Sequence, residues 1–439
     1  MQKKLSVLLL LALTAMSIAA CGSDNNSNTA SSNGAEASGS AGSNSASAPN
    51  ESAASDEEIQ PEAGAELKIW VDKTERTFID SVLPLFNAKY GVKVTAEEVN
   101  VPDQGSKLET DGPIGVAADV VTLPHDKIPQ AAKANLLLPN DLFEEETRAT
   151  ALETAIQAST YDGILYGYPE TIETYALFYN KDLVPTPPKT WDEVIAFAKT
   201  FNDSANRKYA IAWNHDTYFN SMFIQSYGGY IYGKDGTDPT DIGLNNEGAI
   251  EGMKFYQSLY DVVPIKTTDN KYDIRTELFA TGKLAMLIDG PWSLGSFLGK
   301  VNMGVAPLPD LPGGKKTISM AGVRSFYVNS YTKYPNAAKL LARFLSTEEV
   351  QLRDFEMASI IPANKAANEN EKIKNDPIIN GFVEQFKNST TMPSIPQINN
   401  VWLPAEAAFA SIWDNKDDVK GAMDKAVQSI QELNQTVGQ

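Results

Sequence analysis

Aromatic rings stand at the ends of predicted strands in this chain. Trp292 follows the apolar run LAMLID and a Gly-Pro turn, and Tyr218 follows the strand-like segment YAIAW. Trp402, within MPSIPQINNVWLP, is placed in the same group. The face of a tryptophan or tyrosine ring can lie against the C–H face of a pyranose, so these rings favour a sugar as ligand.

Acidic residues recur at comparable junctions. They are Asp72, Asp126 and Glu173. Carboxylates accept strong hydrogen bonds from hydroxyl groups, which a sugar carries around its ring. In open α/β sheets ligands bind beyond the carboxyl ends of strands, and binding sites favour the space between domains. We therefore expect these carboxylates and the three rings to face one sugar-binding site.

Each tryptophan has a second interpretation as a residue of the hydrophobic core. We predict a core position for four of the six: Trp70, Trp191, Trp213 and Trp413. For Trp292 and Trp402 the ligand-binding interpretation is favoured.

Other kinds of site find little support in the sequence. The two histidines, His125 and His215, lie near no cysteine and outside any His-Glu-x-x-His pattern, which argues against zinc. The segment GPWSLGS lacks the lysine of a P-loop. Paired carboxylates could serve a glycosidase, but among 56 acidic residues such pairs carry little weight. We expect no metal and no cofactor.

The net charge of the chain limits the classes of partner that it can bind. Its 439 residues carry a formal net charge of −19 at pH 7. A field of that sign repels phosphate backbones and anionic lipid surfaces, so nucleic acid is excluded as an expected partner. The composition is 42% hydrophobic, which allows a sizeable core in about two domains.

The N-terminal segment predicts export. Two lysines precede an apolar run that ends in Ile-Ala-Ala-Cys, and this resembles a bacterial lipoprotein signal of the Gram-positive type. The resemblance implies removal of residues 1–20 and lipid on Cys21, which would anchor the protein at the outer face of the cytoplasmic membrane. A plain secretory signal with an incidental cysteine is the alternative.

The next segment has the composition of a tether. Residues 22–58 contain no aromatic residue and no Val, Leu or Ile, so they cannot offset their ordering entropy by burial. We assign 21–65 to the lipid anchor and a flexible tether.

Beyond residue 66, predicted strands alternate with predicted helices. The strands are LKIWV, VKVTAEEV, DVVTL, YALFYN, YAIAW and LAMLID. Between them lie helical patterns, one ending at Gly91 and one opening with Thr190 and Glu193 in capping-box spacing. This alternation predicts an α/β fold with a parallel or mixed sheet covered by helices on both faces.

Three segments carry a family resemblance. They are YDGILYGYPETIETYALFYNKDLVPTPPKTWDEV, KLAMLIDGPWSLGSF and TMPSIPQINNVW. They resemble the maltose- and maltodextrin-binding proteins of ABC importers, within the family of extracellular sugar-binding proteins, and the likeness extends from about 66 to 435. It implies two α/β lobes joined by a hinge, with the ligand cleft between them. The first lobe would comprise 66–172 plus 326–366, and the second 176–322 plus 370–437.

The resemblance also implies roles for individual residues. Hydroxyl contacts from the first lobe or hinge would come from Asp72, Lys73, Asp126 and Glu173. In the second lobe, Tyr218, Trp292 and Trp402 would be stacking faces, with Asp216 as a further acceptor.

Three positions depart from the pattern of the maltodextrin binders. Leu123 stands where that pattern has tryptophan, and Lys127 and Glu406 stand where it has arginine. An arginine fork and a carboxylate have opposite hydrogen-bond polarity. Arg324 is either a replacement donor to the ligand or part of a structural salt bridge. Maltodextrin is the first choice of ligand, with other α- or β-linked oligosaccharides left open.

Two functions from different classes are compatible with these residues. The first is a monomeric, non-enzymatic receptor that captures an oligosaccharide and delivers it to a membrane permease. The second is a surface glycosidase that uses two of Asp126, Glu173, Asp216 and Glu406, which would need a fixed separation across one glycosidic bond.

Overall fold

Two larger β-sheets, a two-stranded antiparallel sheet of β5 and β6, and the surrounding helices make up the part of the chain that the structure, a computed structural model, describes: residues 59–436. The strands are β1 (Glu66–Val71), β2 (Lys93–Glu98), β3 (Val120–Pro124), β4 (Leu137–Leu138), β5 (Thr160–Tyr161), β6 (Ile164–Leu165), β7 (Tyr168–Thr174), β8 (Ala176–Asn180), β9 (Tyr209–Ala212), β10 (Asp238–Ile242), β11 (Leu284–Asp289), β12 (Met303–Ala306), β13 (Ser319–Asn329) and β14 (Ser389–Thr391). The signal segment, Cys21 and most of the predicted tether lie outside the described residues.

The helices cover both sheets. They are α1 (Arg76–Tyr90), α2 (Val101–Asp111), α3 (Ile128–Lys133), α4 (Glu144–Thr150), α5 (Glu153–Ala158), α6 (Trp191–Phe201), α7 (Thr217–Gln225), α8 (Gly233–Gly236), α9 (Glu247–Ser258), α10 (Tyr272–Ala280), α11 (Leu294–Phe297), α12 (Pro335–Leu345), α13 (Glu348–Ala358), α14 (Lys365–Asn368), α15 (Glu371–Lys374), α16 (Pro377–Phe386), α17 (Asn399–Asp414) and α18 (Val419–Thr436). Among residues 59–436, no helix is both long enough and apolar enough to cross a membrane.

The first sheet has the strand order β14-β13-β3-β1-β2, and β4 and β7 also pair with β13. Strand β1 is parallel to β2 and β3, whereas β13 runs antiparallel to β3 and β7. The second sheet has the order β12-β8-β11-β9, in which β11 is antiparallel to β8 and parallel to β9. Both sheets are therefore mixed, as the alternation of elements predicted.

The chain passes between the sheets at short connections. Tyr175 alone separates β7 of the first sheet from β8 of the second. Strand β13 begins at Ser319, inside the range assigned to the second lobe, and ends in the first sheet at Asn329. The exact bounds of the two lobes remain a prediction.

Each sheet packs on its own hydrophobic cluster. Helices α1 and α12 contribute Phe78, Phe86 and Leu341 to the cluster beside β1. Trp191, Trp213 and Trp413 lie in the cluster beside β8 and β11. All four tryptophans predicted for the core, Trp70 included, are fully buried, which confirms that prediction.

Two predicted helix signals have the expected physical basis. Helix α1 is followed by Gly91 in the left-handed conformation, with φ of 69°, which glycine adopts without a steric penalty. At the start of α6, Thr190 Oγ1 accepts a bond of 3.3 Å from the Glu193 N–H. The Glu193 carboxylate reaches the N–H of Lys189 at 2.6 Å, one residue earlier than in a standard capping box.

Residues 59–65, which lie in the range assigned to the tether, contact the rest of the fold. The Glu62 carboxylate accepts hydrogen bonds of 2.8 and 3.0 Å from the N–H groups of Asn336 and Ala337 at the start of α12. A carboxylate at this position also complements the helix dipole. Ile59 packs against the cluster beneath the first sheet.

Candidate functional site

The end of β1 carries Asp72, which organises the following turn. Its Oδ1 accepts hydrogen bonds from Thr74 N and Oγ1 at 3.0 and 2.8 Å, and its Oδ2 accepts one from Val101 N at 3.3 Å. Asp72 is half-buried and the neighbouring Lys73 is exposed. The carboxylate is thus held in place by the backbone while its surface remains partly open.

A 3₁₀ turn after β3 carries Asp126 and Lys127. Asp126 is buried, and its Oδ2 lies 3.2 Å from Lys127 Nζ. The same Nζ donates a 2.7 Å hydrogen bond to Asn399 Oδ1 and lies 5.8 Å from the centroid of the Trp402 ring. Lys127 therefore joins a turn of the first sheet to the start of α17.

The first turn of α7 brings the polar and aromatic candidates together. Asp216 is its N-cap and accepts a 2.9 Å bond from Phe219 N. Thr217 Oγ1 donates a 3.1 Å bond to the backbone oxygen of Trp402. The position of α17 is therefore fixed relative to Asp216 and Tyr218.

Tyr218 lies between the other aromatic residues and the first sheet. Its ring centroid is 6.4 Å from that of Trp292 and 5.1 Å from that of Tyr175. Its hydroxyl donates a 3.2 Å bond to the carbonyl of Met320 in β13. Tyr218 is half-buried, so part of its surface remains available.

Three carboxylates from separate elements act electrostatically on the Tyr218 hydroxyl. Burial raises the pKa of its hydroxyl well above the usual value, and Glu173, Asp216 and Asp126 raise it further. Burial also raises the pKa of Asp216 to about 6, against the opposing hydrogen bond from Phe219 N. Three of the predicted hydrogen-bond acceptors therefore raise the pKa of the same tyrosine hydroxyl.

Glu406 lies beside Asp216. Burial raises the pKa of the Glu406 carboxyl, Asp216 raises it further, and a hydrogen bond from the Thr217 backbone opposes both effects. The structure thus brings Glu406 to the same turn as Tyr218.

The two candidate stacking tryptophans have different local settings. Trp292 lies in a 3₁₀ turn directly after β11, as the strand-end interpretation predicted, and is partly exposed. Trp402 lies in the first turn of α17, so its placement at a strand end was wrong. Its indole N–H is buried without a hydrogen-bond partner among the described residues. Helix α17 contains Pro404, a residue that is unfavourable inside helices, and the sequence analysis named no helix in this segment.

Arg324 occupies a buried ion cluster. It is 4% exposed, its Nε donates a 2.8 Å bond to Glu170, its Nη2 contacts Glu75, and its Nη1 lies 3.6 Å from Glu173. Burial raises the pKa of the Glu75 carboxyl to about 8, although Arg324 opposes that increase. The geometry favours the structural salt bridge over the role of ligand donor. Sequence reasoning missed Glu75 and Glu170, because neither follows a strand end and their partner lies far along the chain.

Leu123 offers no surface to a ligand. It is fully buried in the cluster formed with Trp70, Leu108 and Tyr327. The position at which the maltodextrin binders' pattern has a ring is therefore part of the core in this chain.

Tyr272 is a further residue at this site that the sequence analysis missed. Its hydroxyl lies 3.1 Å from Ser293 Oγ, in the turn of Trp292. Burial raises its pKa, and Asp289 and then Asp72 add to the increase. The charge of Asp72, at the end of β1, thus acts on a tyrosine that is bonded to the turn of Trp292.

Two pockets on the surface lie away from these residues. One, of about 290 Å³, is beside Lys254 and Lys420, and the other, of about 300 Å³, is beside Arg343 and Lys365. None of the candidate residues lines either pocket. Within residues 59–436, no group of three or more His, Cys, Asp or Glu side chains is arranged to hold a metal ion.

The fold and this site define a class of protein. The chain belongs to the family of bacterial extracellular solute-binding proteins, which it matches over residues 85–381. It is 32% identical to the galactooligosaccharide-binding protein of Bacillus subtilis over 98% of this chain and 97% of that protein. It is 30% identical to a maltooligosaccharide ABC transporter solute-binding lipoprotein of Streptococcus pneumoniae, over 84% of this chain and 88% of that one.

The structure is similar to solved members of the class. The crystal structure of MalX from Streptococcus pneumoniae with maltopentaose superposes with a TM-score of 0.78, at 30% identity, over 84% of this chain and 100% of that chain. This similarity confirms the predicted two-lobed fold and the predicted kinship with maltodextrin-binding proteins.

Proposed function

We propose that this protein is the substrate-binding component of an ABC importer, which captures an oligosaccharide between its two lobes and delivers it to a membrane permease. One observation carries the proposal. Four of the six tryptophans are fully buried, while Trp292 and Trp402 are partly exposed beside Tyr218 and several carboxylates. Ring faces next to fixed hydrogen-bond acceptors suit a sugar better than any other common solute.

The roles of the site residues follow from their surroundings. Trp292, Trp402 and Tyr218 are proposed stacking faces, and the unpartnered indole N–H of Trp402 can donate to a sugar hydroxyl. Asp126 and Asp216 are proposed acceptors.

Lobe closure is part of the proposal. Lys127 and Asn399, from the predicted first and second lobes, are joined by a 2.7 Å hydrogen bond. A ligand that touches both lobes favours the closed arrangement, because only there are all its contacts made.

Two sugar classes are proposed, in order. Maltodextrins come first, because the motifs and the solved structure with maltopentaose agree. Galactooligosaccharides come second, because the relative named for them matches 98% of this chain. The buried Leu123 also removes a ring that the maltodextrin pattern has in the first lobe.

We propose that the protein is not an enzyme. The four candidate glycosidase carboxylates have other partners: Asp126 pairs with Lys127, Glu173 lies 3.6 Å from Arg324, Asp216 caps α7, and Glu406 is hydrogen-bonded to the Thr217 backbone. An acid and a nucleophile need geometry directed at one bond. Chromatography of maltotriose after incubation with the protein should show no shorter sugars.

The proposed location is the outer face of the cytoplasmic membrane, through lipid on Cys21. Support comes from the signal-like sequence and from a relative named as a lipoprotein. We expect Cys21→Ala to release the protein into the medium or leave the signal uncleaved. A variant that is still processed and membrane-bound would contradict the anchor.

A thermal-shift panel of maltodextrins and galactooligosaccharides tests the proposal. A ligand at 100 times its Kd that binds only the folded state stabilises it by about 2.7 kcal/mol, so at least one sugar should raise the melting temperature. An unchanged melting temperature with every member of both classes would contradict the function.

A further inference from the structure

The indole of Trp292 lies directly over the backbone of Gly290. A Cβ atom on residue 290 would lie 2.1 Å from both Cη2 and Cζ3 of Trp292, and 2.5 Å from Cε3. These separations are far below the 3.5–4.0 Å at which two carbon atoms are in favourable contact. The ring can occupy its place only because residue 290 has no side chain.

The backbone of Gly290 does not itself require glycine. Its φ of −99° and ψ of 175° lie in the extended region that any residue adopts. Alanine at 290 would therefore meet no torsional strain, and its cost would come from the collision with the indole.

Other contacts hold both the backbone of Gly290 and the ring of Trp292 in place. The buried Asp289 Oδ1 accepts a 2.8 Å hydrogen bond from Gly290 N, which fixes this peptide. The Trp292 ring lies 6.5 Å from the ring of Phe219 and 6.4 Å from that of Tyr218. An added methyl group at 290 would have to displace the indole, since its three nearest heavy atoms are all ring atoms of Trp292 and the peptide is held by Asp289 at the end of β11.

We propose that Gly290 is a positioning residue of the sugar site: it seats the ring of Trp292 at the angle at which that ring stacks on the ligand, without touching the ligand itself. This inference rests on the proposed function for the stacking role of Trp292. The claim that Gly290 fixes the position of the Trp292 ring depends on the geometry alone.

The chain supplies a matched control. Gly295, five residues later in α11, is exposed, and a Cβ atom there would meet nothing within 4 Å. Gly290→Ala and Gly295→Ala add the same methyl group to neighbouring turns. A general effect of losing a glycine in this region should appear in both variants, whereas displacement of the indole should appear only in Gly290→Ala.

The first measurement needs no ligand. Acrylamide quenching of tryptophan fluorescence should increase in Gly290→Ala relative to wild type, because Trp292 is displaced from its seat. The increase should be absent in Gly295→Ala. It should also be absent when Gly290→Ala is added to Trp292→Phe, because that background lacks the indole whose exposure changes. Quenching equal to that of wild type in Gly290→Ala would overturn the seating of the ring.

The second measurement is affinity by calorimetry, with the maltodextrin or galactooligosaccharide that stabilises wild type in the thermal-shift panel. Gly290→Ala should raise the Kd about tenfold or more, within the range for loss of a central aromatic contact. In the Trp292→Ala background the same change should alter the Kd by less than about twofold, because the effects on binding free energy of two residues that act through one contact are not additive. An equal loss in both backgrounds would overturn the proposal.

Stability separates this role from a structural one. Urea unfolding of ligand-free Gly290→Ala and Gly295→Ala should give similar midpoints. If Gly290→Ala is unstable, the double variant with Trp292→Ala decides: it should regain the stability of Trp292→Ala if the collision is with the ring. Persistent instability would show that residue 290 packs against something else.

The proposed function and the position of the ring can fail separately. If the wild type binds no sugar while the quenching result holds, the proposed function is refuted, but the claim that Gly290 positions the Trp292 ring is not.

Discussion

Arg324→Met tests whether the buried arginine stabilises the fold or binds ligand. Arg324 is 4% exposed, and its partners Glu75 and Glu170 are 2% and 1% exposed. Methionine fills part of the same volume but leaves both carboxylates without their cation. We expect a large loss of stability and little direct effect on sugar affinity.

The magnitude follows from the burial of the cluster. Removing one partner of a buried ion pair costs about 3–5 kcal/mol, because the remaining charge is left uncompensated. Burial already raises the pKa of Glu75 from 4.5 to about 8, and it raises that of Glu170 as well. Loss of Arg324 removes the main opposing effect, so both carboxyls should hold protons more tightly in the folded protein.

The pH dependence has a definite sign. A carboxyl whose pKa is higher in the folded state binds more protons there, so its contribution to stability falls as pH rises above the unfolded value of 4.5. The penalty of Arg324→Met should therefore be largest near pH 8 and smaller near pH 5. Protonation at pH 5 removes the uncompensated charges.

Urea unfolding of the ligand-free protein at pH 5 and pH 8 measures this effect. Arg76→Met is the matched control, since the Arg76 side chain is 37% exposed and pairs with Asp80 at 2.8 Å, and a surface pair contributes about 0–1 kcal/mol. If Arg324→Met keeps wild-type stability at pH 8 but loses sugar affinity, the structural role is refuted and the ligand-donor alternative is restored.

Three further predictions concern single hydrogen-bonding groups. Glu75→Gln should flatten the fall in the free energy of unfolding between pH 5 and pH 8, and a steeper fall in urea titrations would contradict the raised pKa of Glu75. Asn399→Ala removes the 2.7 Å bond from Lys127 and should weaken sugar binding about two- to tenfold by calorimetry; an unchanged Kd would mean that the bond does not favour the closed form. Thr190→Ala removes the N-cap of α6 and should cost about 1 kcal/mol in urea unfolding, and no loss would mean that the bond from Lys189 to Glu193 suffices.

Elements with strong periodicity were predictable from local sequence. Helix α1 was predicted to end at Gly91, as it does, because its apolar face and its terminal glycine are both local signals. The buried strand LAMLID was also found, since a short apolar run between turns is typical of a central strand.

Elements defined by tertiary contacts were missed. Strand β13 is buried along all eleven residues and pairs with four other strands, so it shows no alternation in its sequence. Helix α17 was not predicted, and it contains Pro404, which is unfavourable inside helices. The short strands β4 and β14 exist only through pairing with β13.

The candidate site was predictable in its residue types but less so in its connections. The place of Trp292 after β11 followed from the sequence, because a strand and a Gly-Pro turn precede it. The partners of Arg324 did not, because Glu75 and Glu170 are 249 and 154 positions away along the chain and only the fold brings them together.

Calorimetric titration of the purified protein with maltodextrins and galactooligosaccharides tests the central claim most directly. We expect one binding site per chain for at least one of these sugars, with the sugar recovered intact afterwards. Absence of binding by both classes, or recovery of shortened sugar, would contradict an oligosaccharide receptor.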